Sequence, residues 1–302
     1  MATAHLRAWL TAVGLVAVPL LWTISIVVQP SMTPTRWVQR AVPLVSFALY
    51  AWFVFPWFIP GYLVRLLVVA AALCAAAIDL VRAWGGPGLA GVAVRDTAIP
   101  LAVSIGFMVV LGSTLRPGKP PPLAMRSPFE AGSFAVTNGG AGWVVNGHWS
   151  VPAQRHAIDI VRIGRFGARA RGICPSGLDR YDAYDTPVVA PVRGRVAEVR
   201  DGLPDLAPGD TDRSHPEGNF VSLVDSDGVR VLLAHLRRGS IAVHPGEDVE
   251  AGHLLGHVGN SGNTTEPHLH LQANARDGEA VPIAIDGVEM RRNSRFGRER
   301  PR

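Results

Sequence analysis

The stretch Gly259-Asn260-Ser261-Gly262-Asn263-Thr264-Thr265-Glu266-Pro267-His268-Leu269-His270-Leu271 decides how the C-terminal half reads. A turn-rich loop runs into an alternating pattern. On a strand, neighbouring side chains point to opposite faces, so His268 and His270 share one face. Leu269 and Leu271 point the other way, into a core. Two imidazoles on one side make half of a metal site, or one ligand with a proton-handling neighbour.

Working outward, Ala234-His235-Leu236 ends an apolar strand, and Gly246-Glu247-Asp248-Val249 reads as a turn. Further upstream, Ala157-Ile158-Asp159-Ile160 sets an aspartate among apolar strand residues. A buried carboxylate is costly unless it is paired or holds a metal. Aspartate with histidine is a donor set that suits zinc. Asn219 to Leu236 predicts a hairpin turning at Asp225-Ser226-Asp227-Gly228, and Thr186 to Arg200 predicts a strand pair turning at Arg193-Gly194. With no amphipathic helix of ordinary length, the expected fold from Ser127 onward is mostly antiparallel β.

These pieces together resemble the lysostaphin-type, LytM-like zinc endopeptidases of peptidoglycan. The resemblance rests on Leu233-Ala234-His235-Leu236, on Val249 to Gly256, on Gly259 to His270, and on Pro187-Val188-Val189-Ala190-Pro191-Val192-Arg193-Gly194. It covers roughly Gly142 to Pro282 and leaves the N-terminal part outside. It implies a lysostaphin-type peptidase fold, a Zn2+ cofactor, peptidoglycan as substrate, and zinc metalloendopeptidase activity. Carried over by position, His270 and Asp159 are zinc ligands, and His235 and His268 are the catalytic histidines.

The family's remaining ligand is a histidine that usually stands four residues before the aspartate. Here that position is Arg155. His156 is three before Asp159 and would need a bulge to share its face. His148, in Asn146-Gly147-His148-Trp149, lies on the preceding segment and can fold back. His148 is favoured as the metal ligand, with His156 the alternative. The competing functional reading is the same β domain without turnover, acting as a wall-binding or hydrolase-regulating module. Because the chain has no His-Glu-x-x-His motif, proton handling falls to His235 and His268.

His215, His244, His253 and His257 sit in turns or at strand ends and are expected to be surface or packing residues. Cys74 lies in an apolar run and Cys174 in the polar half. They give no Cys-x-x-Cys spacing and no expected disulfide.

The first half differs in kind. Ala8 to Val28, Ala41 to Pro60, Tyr62 to Leu80 and Ala98 to Leu115 are four successive apolar stretches. A bilayer core needs about 20 apolar residues. The expectation is therefore an all-α transmembrane region of four helices over 1–115. A Pro-rich linker over 116–126, the β domain over 127–290 and a solvated basic tail over 291–302 complete the division. Val28-Gln29-Pro30 offers no small-x-small cleavage site, so the first stretch reads as a retained span.

Spans two and three join at Ile59-Pro60-Gly61 amid Trp52, Phe53, Phe55, Trp57, Phe58 and Tyr62. Such aromatics favour the headgroup layer. Arg36 and Arg40 after span one, and Arg82 and Arg95 after span three, place those loops in the cytosol and both chain ends outside. Arg7, Arg116, Lys119 and Arg126 pull the other way. Access to the wall decides for a multi-pass protein of the cell membrane with its catalytic domain on the extracytoplasmic side.

The formal charge of +5 is carried almost wholly by arginine, with Lys119 the single lysine. There is no aromatic-plus-basic stripe for nucleic acid. The membrane lipid bilayer and the wall polymer are the expected partners.

Overall fold

The computed structural model describes residues 2–84, 94–116 and 122–297. Four helices come first: α1 (Ala2–Val28), α2 (Pro34–Val54), α3 (Tyr62–Trp84) and α4 (Val94–Thr114). α2 starts where Thr33 accepts the Arg36 backbone N–H and Pro34 takes the first turn, where its missing N–H is no loss. It stops before Pro56, which forces Phe55 into an extended conformation. The second expected span is thus shifted: its helix begins at Pro34, and Phe55 to Gly61 form the turn into α3. α2 packs on α3 and α4, and α1 packs on α3.

By length and composition, α2 and α3 could each cross a membrane. Val16–Val28 and Ala98–Thr114 are shorter apolar stretches. The four expected helices are present, but only two reach spanning length and hydropathy among the described residues.

The strands follow as β1 (Leu123–Met125), β2 (Phe134–Asn138), β3 (Ile158–Arg162), β4 (Pro187–Val189), β5 (Gly194–Arg200), β6 (Asn219–Val224) and β7 (Arg230–Leu236). The rest are β8 (Asp248–Val249), β9 (Leu254–His257), β10 (Leu269–Asn274), β11 (Ile283–Ile285), β12 (Val288–Glu289) and β13 (Arg295–Phe296). The main sheet runs β13-β2-β3-β10-β7-β6-β5-β8, β4 pairs with β9, and β1-β11-β12 form a small third sheet. All these pairings are antiparallel except β1 with β11. The expected hairpin at 219–236 is β6–β7. Its tight turn is set by Asp225, whose Oδ1 accepts the N–H groups of Asp227 and Val229.

Three expectations need correction. β4 and β5 do not pair with each other: β4 joins β9, while β5 lies between β6 and β8. The apolar run is continuous, yet Ala190 to Arg193 redirect the chain between sheets. The end of the expected linker is a strand, because Met125 is buried in the core and Leu123 pairs with Ile283. Within that linker, 117–121 lie outside the described residues. The start of the expected tail also belongs to the fold: Arg295 and Phe296 pair with Ala135 and Phe134. Positions 298–302 lie outside the described residues.

The helical part and the β domain meet along the α2–α3 turn. Trp57, Phe58 and Tyr62 pack against Ala135 and Val161 of the main sheet and Ile163 just after β3. The Arg169 N–H donates to Phe58 O at 2.9 Å, and Asn293 Nδ2 donates to both Phe53 O and Phe55 O at 2.9 Å. The approach is backbone-close. A Cβ on Gly61 would lie 2.8 Å from Phe166 O, and one on Gly167 would lie 2.8 Å from Tyr62 Cβ.

Candidate metal centre and its histidines

β3 and β10 are neighbours in the sheet, and their register sets Asp159 directly opposite His270. On the far face of the same pair, Ile158, Ile160, Leu269 and Leu271 are fully buried in the core. The apolar alternation therefore fixes which way the two polar side chains point. His270 Nδ1 is 2.9 Å from Asp159 Oδ1.

His148 arrives from outside the sheet. Asn146 Oδ1 accepts the His148 backbone N–H and starts a short 3-10 turn over Gly147–Ser150. The Asn146 amide in turn donates to Arg155 O and Ala157 O, which ties this turn to the approach to β3. His148 Nε2 then reaches Asp159 Oδ2 at 2.9 Å. Ligand atoms of His148, Asp159 and His270 all lie within 4.8 Å of one another. His156 is not in that group; its ring lies against Trp149, with centroids 5.8 Å apart.

His235 and His268 complete the cluster, their ring centroids 4.8 Å apart, with His235 5.7 Å from His270. His268 sits just before β10. His235 is one residue past Ala234, the partner of His270 across β7 and β10, so strict alternation would turn it away from the site. Its φ of +64° breaks that alternation. A left-handed conformation in a residue with a Cβ costs about 1–2 kcal/mol and is characteristic of functional positions.

Hydrogen bonds fix the ring tautomers. His235 Nδ1 lies 2.9 Å from Ser261 O, and His268 Nδ1 lies 2.8 Å from Glu266 O. A carbonyl can only accept, so both Nδ1 atoms carry protons, and His268 Nε2 lies 3.6 Å from Asp159 Oδ1. Burial, then the like charges of His268 and His270, hold His235 well below the usual imidazole range, which keeps it neutral. Burial also pulls on His268 and His148, but the Asp159 carboxylate outweighs it and raises both. For Asp159 itself, burial works to raise the carboxyl. The charges of His268 and His148, with hydrogen bonds from both rings, outweigh it and hold Asp159 well below the usual carboxylate range.

Several contributors lie beyond the sequence reading. Asn138 Nδ2 donates to Asp159 Oδ2 at 2.8 Å from a bulge in β2, and Gln272 Oε1 faces His270 Nε2 at 3.3 Å. Gln272 continues the alternation of His268 and His270, a signal available in the sequence. Asn138 carried none. Arg292 donates to Asn138 Oδ1 and to Val54 O at the end of α2. Buried Arg169 forms a 2.6 Å ion pair with Glu266, whose carbonyl holds His268.

Two histidines and one carboxylate thus converge, flanked by two further histidines, in a donor set that could hold a metal ion. Residues 175–282 match the family model of Peptidase family M23, so this part of the chain carries a domain of that family. The matched residues include His235, His268 and His270, and they begin after His148 and Asp159.

Glycyl-glycine endopeptidase ALE-1 of Staphylococcus capitis is 35% identical over 97 residues, 32% of this chain and 23% of that protein. Cell division protein DipM of Caulobacter vibrioides is 28% identical over 160 residues, 51% of this chain and 22% of that protein. The chain thus spans under a quarter of either relative. Among solved structures, the catalytic domain of lysostaphin from Staphylococcus simulans is 21% identical, with a TM-score of 0.29, covering 50% of this chain and 86% of that one.

Proposed function

We propose that the chain is a membrane-anchored zinc metalloendopeptidase that hydrolyses peptide bonds in bacterial peptidoglycan. The observation that carries this reading is the convergence of His148, Asp159 and His270 within 4.8 Å, beside His235 and His268 with ring centroids 4.8 Å apart. In a tetrahedral zinc site with bonds of about 2.0–2.1 Å, ligand atoms stand about 3.3 Å apart. The 2.9 Å His148–Asp159 and Asp159–His270 separations are close to that spacing. Two imidazoles and a carboxylate are a donor set zinc accepts with a position left open, so the residues fit the ion.

Zinc held there would supply an acidified water and a polarised scissile carbonyl. The remaining steps belong to the chain. Neutral His235, its Nδ1–H held by Ser261 O, presents a basic Nε2 to take a proton. His268, beside Asp159, is placed to stabilise the oxyanion of the tetrahedral state. Gln272 accepts from His270 Nε2 and leaves Nδ1 free as ligand.

The membrane reading draws on the helices. Leu21, Val28, Leu66, Leu67, Ile99 and Val109 are more than half exposed, an apolar outer surface that a soluble monomer avoids. The α2–α3 turn rests on the β domain, which supports placing the turn and the domain on one side of the bilayer, as the both-ends-outside arrangement requires. The test is direct. The full chain purified in detergent should hold about one zinc and release soluble fragments from purified peptidoglycan, and chelation should stop it. A chain that holds zinc but cuts no peptidoglycan would favour the regulatory module instead.

A further inference from the structure

Beside the α2–α3 turn, between the start of α3 and the β13 edge, lies a cavity of ≈350 Å³ whose lining includes Arg65, Arg165 and Arg295 with Trp52, Tyr62 and Leu66. We propose that this cavity binds the phosphate headgroup of an anionic membrane lipid. The inference rests on the membrane reading above and is independent of the hydrolytic site.

The charge argument comes first. Arg65 lies over the Trp52 ring at 3.9 Å and over the Tyr62 ring at 4.7 Å, and Arg295 lies 5.1 Å from that same Tyr62 ring. Two guanidinium groups therefore share one aromatic ring. Arg165 joins them, folded over Phe166. Among the described residues, none of the three pairs with a carboxylate. Among the described residues, Arg65 donates only to Trp52 O, and its buried Nε has no partner. Like charges gathered around a cavity with no counter-charge repel, and a bound anion removes that cost. Arginine forks match phosphate oxygens in geometry.

The shape of the lining selects the kind of phosphate. Leu63 and Leu66, which also line the cavity, are 45% and 54% exposed. They continue the apolar outer face of α3 into what would be the hydrocarbon. The site is cationic where Arg65, at the start of α3, meets Arg165 and Arg295 of the β domain, and apolar along Leu63 and Leu66, with a tryptophan and a tyrosine at the junction, where such rings favour the headgroup layer. A free phosphate would use the first part alone, whereas a lipid uses both.

The test uses the full chain purified in mild detergent, stripped of lipid, then offered phosphatidylglycerol, phosphatidylcholine or inorganic phosphate, with bound lipid read by native mass spectrometry. Phosphatidylglycerol should be retained over phosphatidylcholine. Arg165→Gln and Arg295→Gln, at exposed positions that spare the core, should each weaken retention about fivefold. Arg295→Lys should recover part of the loss. Equal retention of the two lipids, or retention unchanged in the double variant, overturns the proposal. Displacement of the lipid by millimolar inorganic phosphate, with equal occupancy by phosphate alone, shows a free-phosphate site and also overturns it. A chain that stays in the soluble fraction of cells removes the membrane reading and this inference together, whereas insertion without lipid preference removes this inference only.

Discussion

Asp159 stands opposite His270 in the β3–β10 ladder and touches three imidazoles, with Oδ1 2.9 Å from His270 Nδ1 and 3.6 Å from His268 Nε2, and Oδ2 2.9 Å from His148 Nε2. One carboxylate thus gathers three of the four histidines.

His148→Ala should abolish zinc binding, since it removes one of the three proposed ligands, and hydrolysis should go with it. His156→Ala should keep about one zinc per chain, because its ring packs on Trp149 outside the ligand group. Metal analysis of the two purified variants decides the matter, and the reverse pattern would sink the assignment.

Gln272→Ala and Asn138→Ala should each weaken zinc binding by about 10- to 100-fold, the usual effect of losing a partner that orients a ligand. Titration with a competing chelator measures it. Unchanged affinity in both would mean that the hydrogen bonds to His270 and Asp159 do not orient the ligands.

His235→Asn is chosen because asparagine tolerates the positive φ at this position. It should retain zinc and lose about 10²- to 10⁴-fold in the rate of peptidoglycan hydrolysis. A rate near that of the unaltered chain would remove His235 from proton transfer.

A reporter that works only outside the cytosol should be active when fused after Arg302 and silent when placed between Arg36 and Arg40. The opposite pattern would refute the proposed orientation and, with it, access to the wall.

Gly167→Ala should loosen the seat of the β domain on the helices. The new methyl would meet Tyr62 Cβ at 2.8 Å, and φ here is +76°. A loss of about 1–3 kcal/mol is expected from overpacking and backbone strain, seen as a lower thermal midpoint in detergent. An unchanged midpoint would mean that the contact yields freely.

Much of this was legible in the sequence because it depends on short-range alternation. Pro267-His268-Leu269-His270-Leu271 shows its two faces directly, and Asp159 among isoleucines does the same. The β6–β7 hairpin announces itself through Asp225 and Gly228. What stayed hidden depends on long-range closure or on a broken pattern. Nothing near Asn138 says that a bulge will bring it to Asp159, 21 positions away. Nothing near His235 says that its φ will be positive. Arg292 looked like part of a solvated basic tail. Its neighbours Arg295 and Phe296 are a strand only because the edge of β2 is open to receive them. The pairing of β4 with β9 joins segments more than 60 residues apart, and local turn signals pointed to the nearer partner instead.

The backbone-close seat at Gly61 and Gly167 bears on reach. A catalytic domain hung on a Pro-rich segment would sweep a volume set by the length of its leash. A domain resting on the α2–α3 turn instead holds its cleft at one standoff from the helices, like a blade on a fixed mount. If those helices lie in the bilayer and the domain hydrolyses the wall as proposed, the fixed mount would confine it to strands of wall at that height.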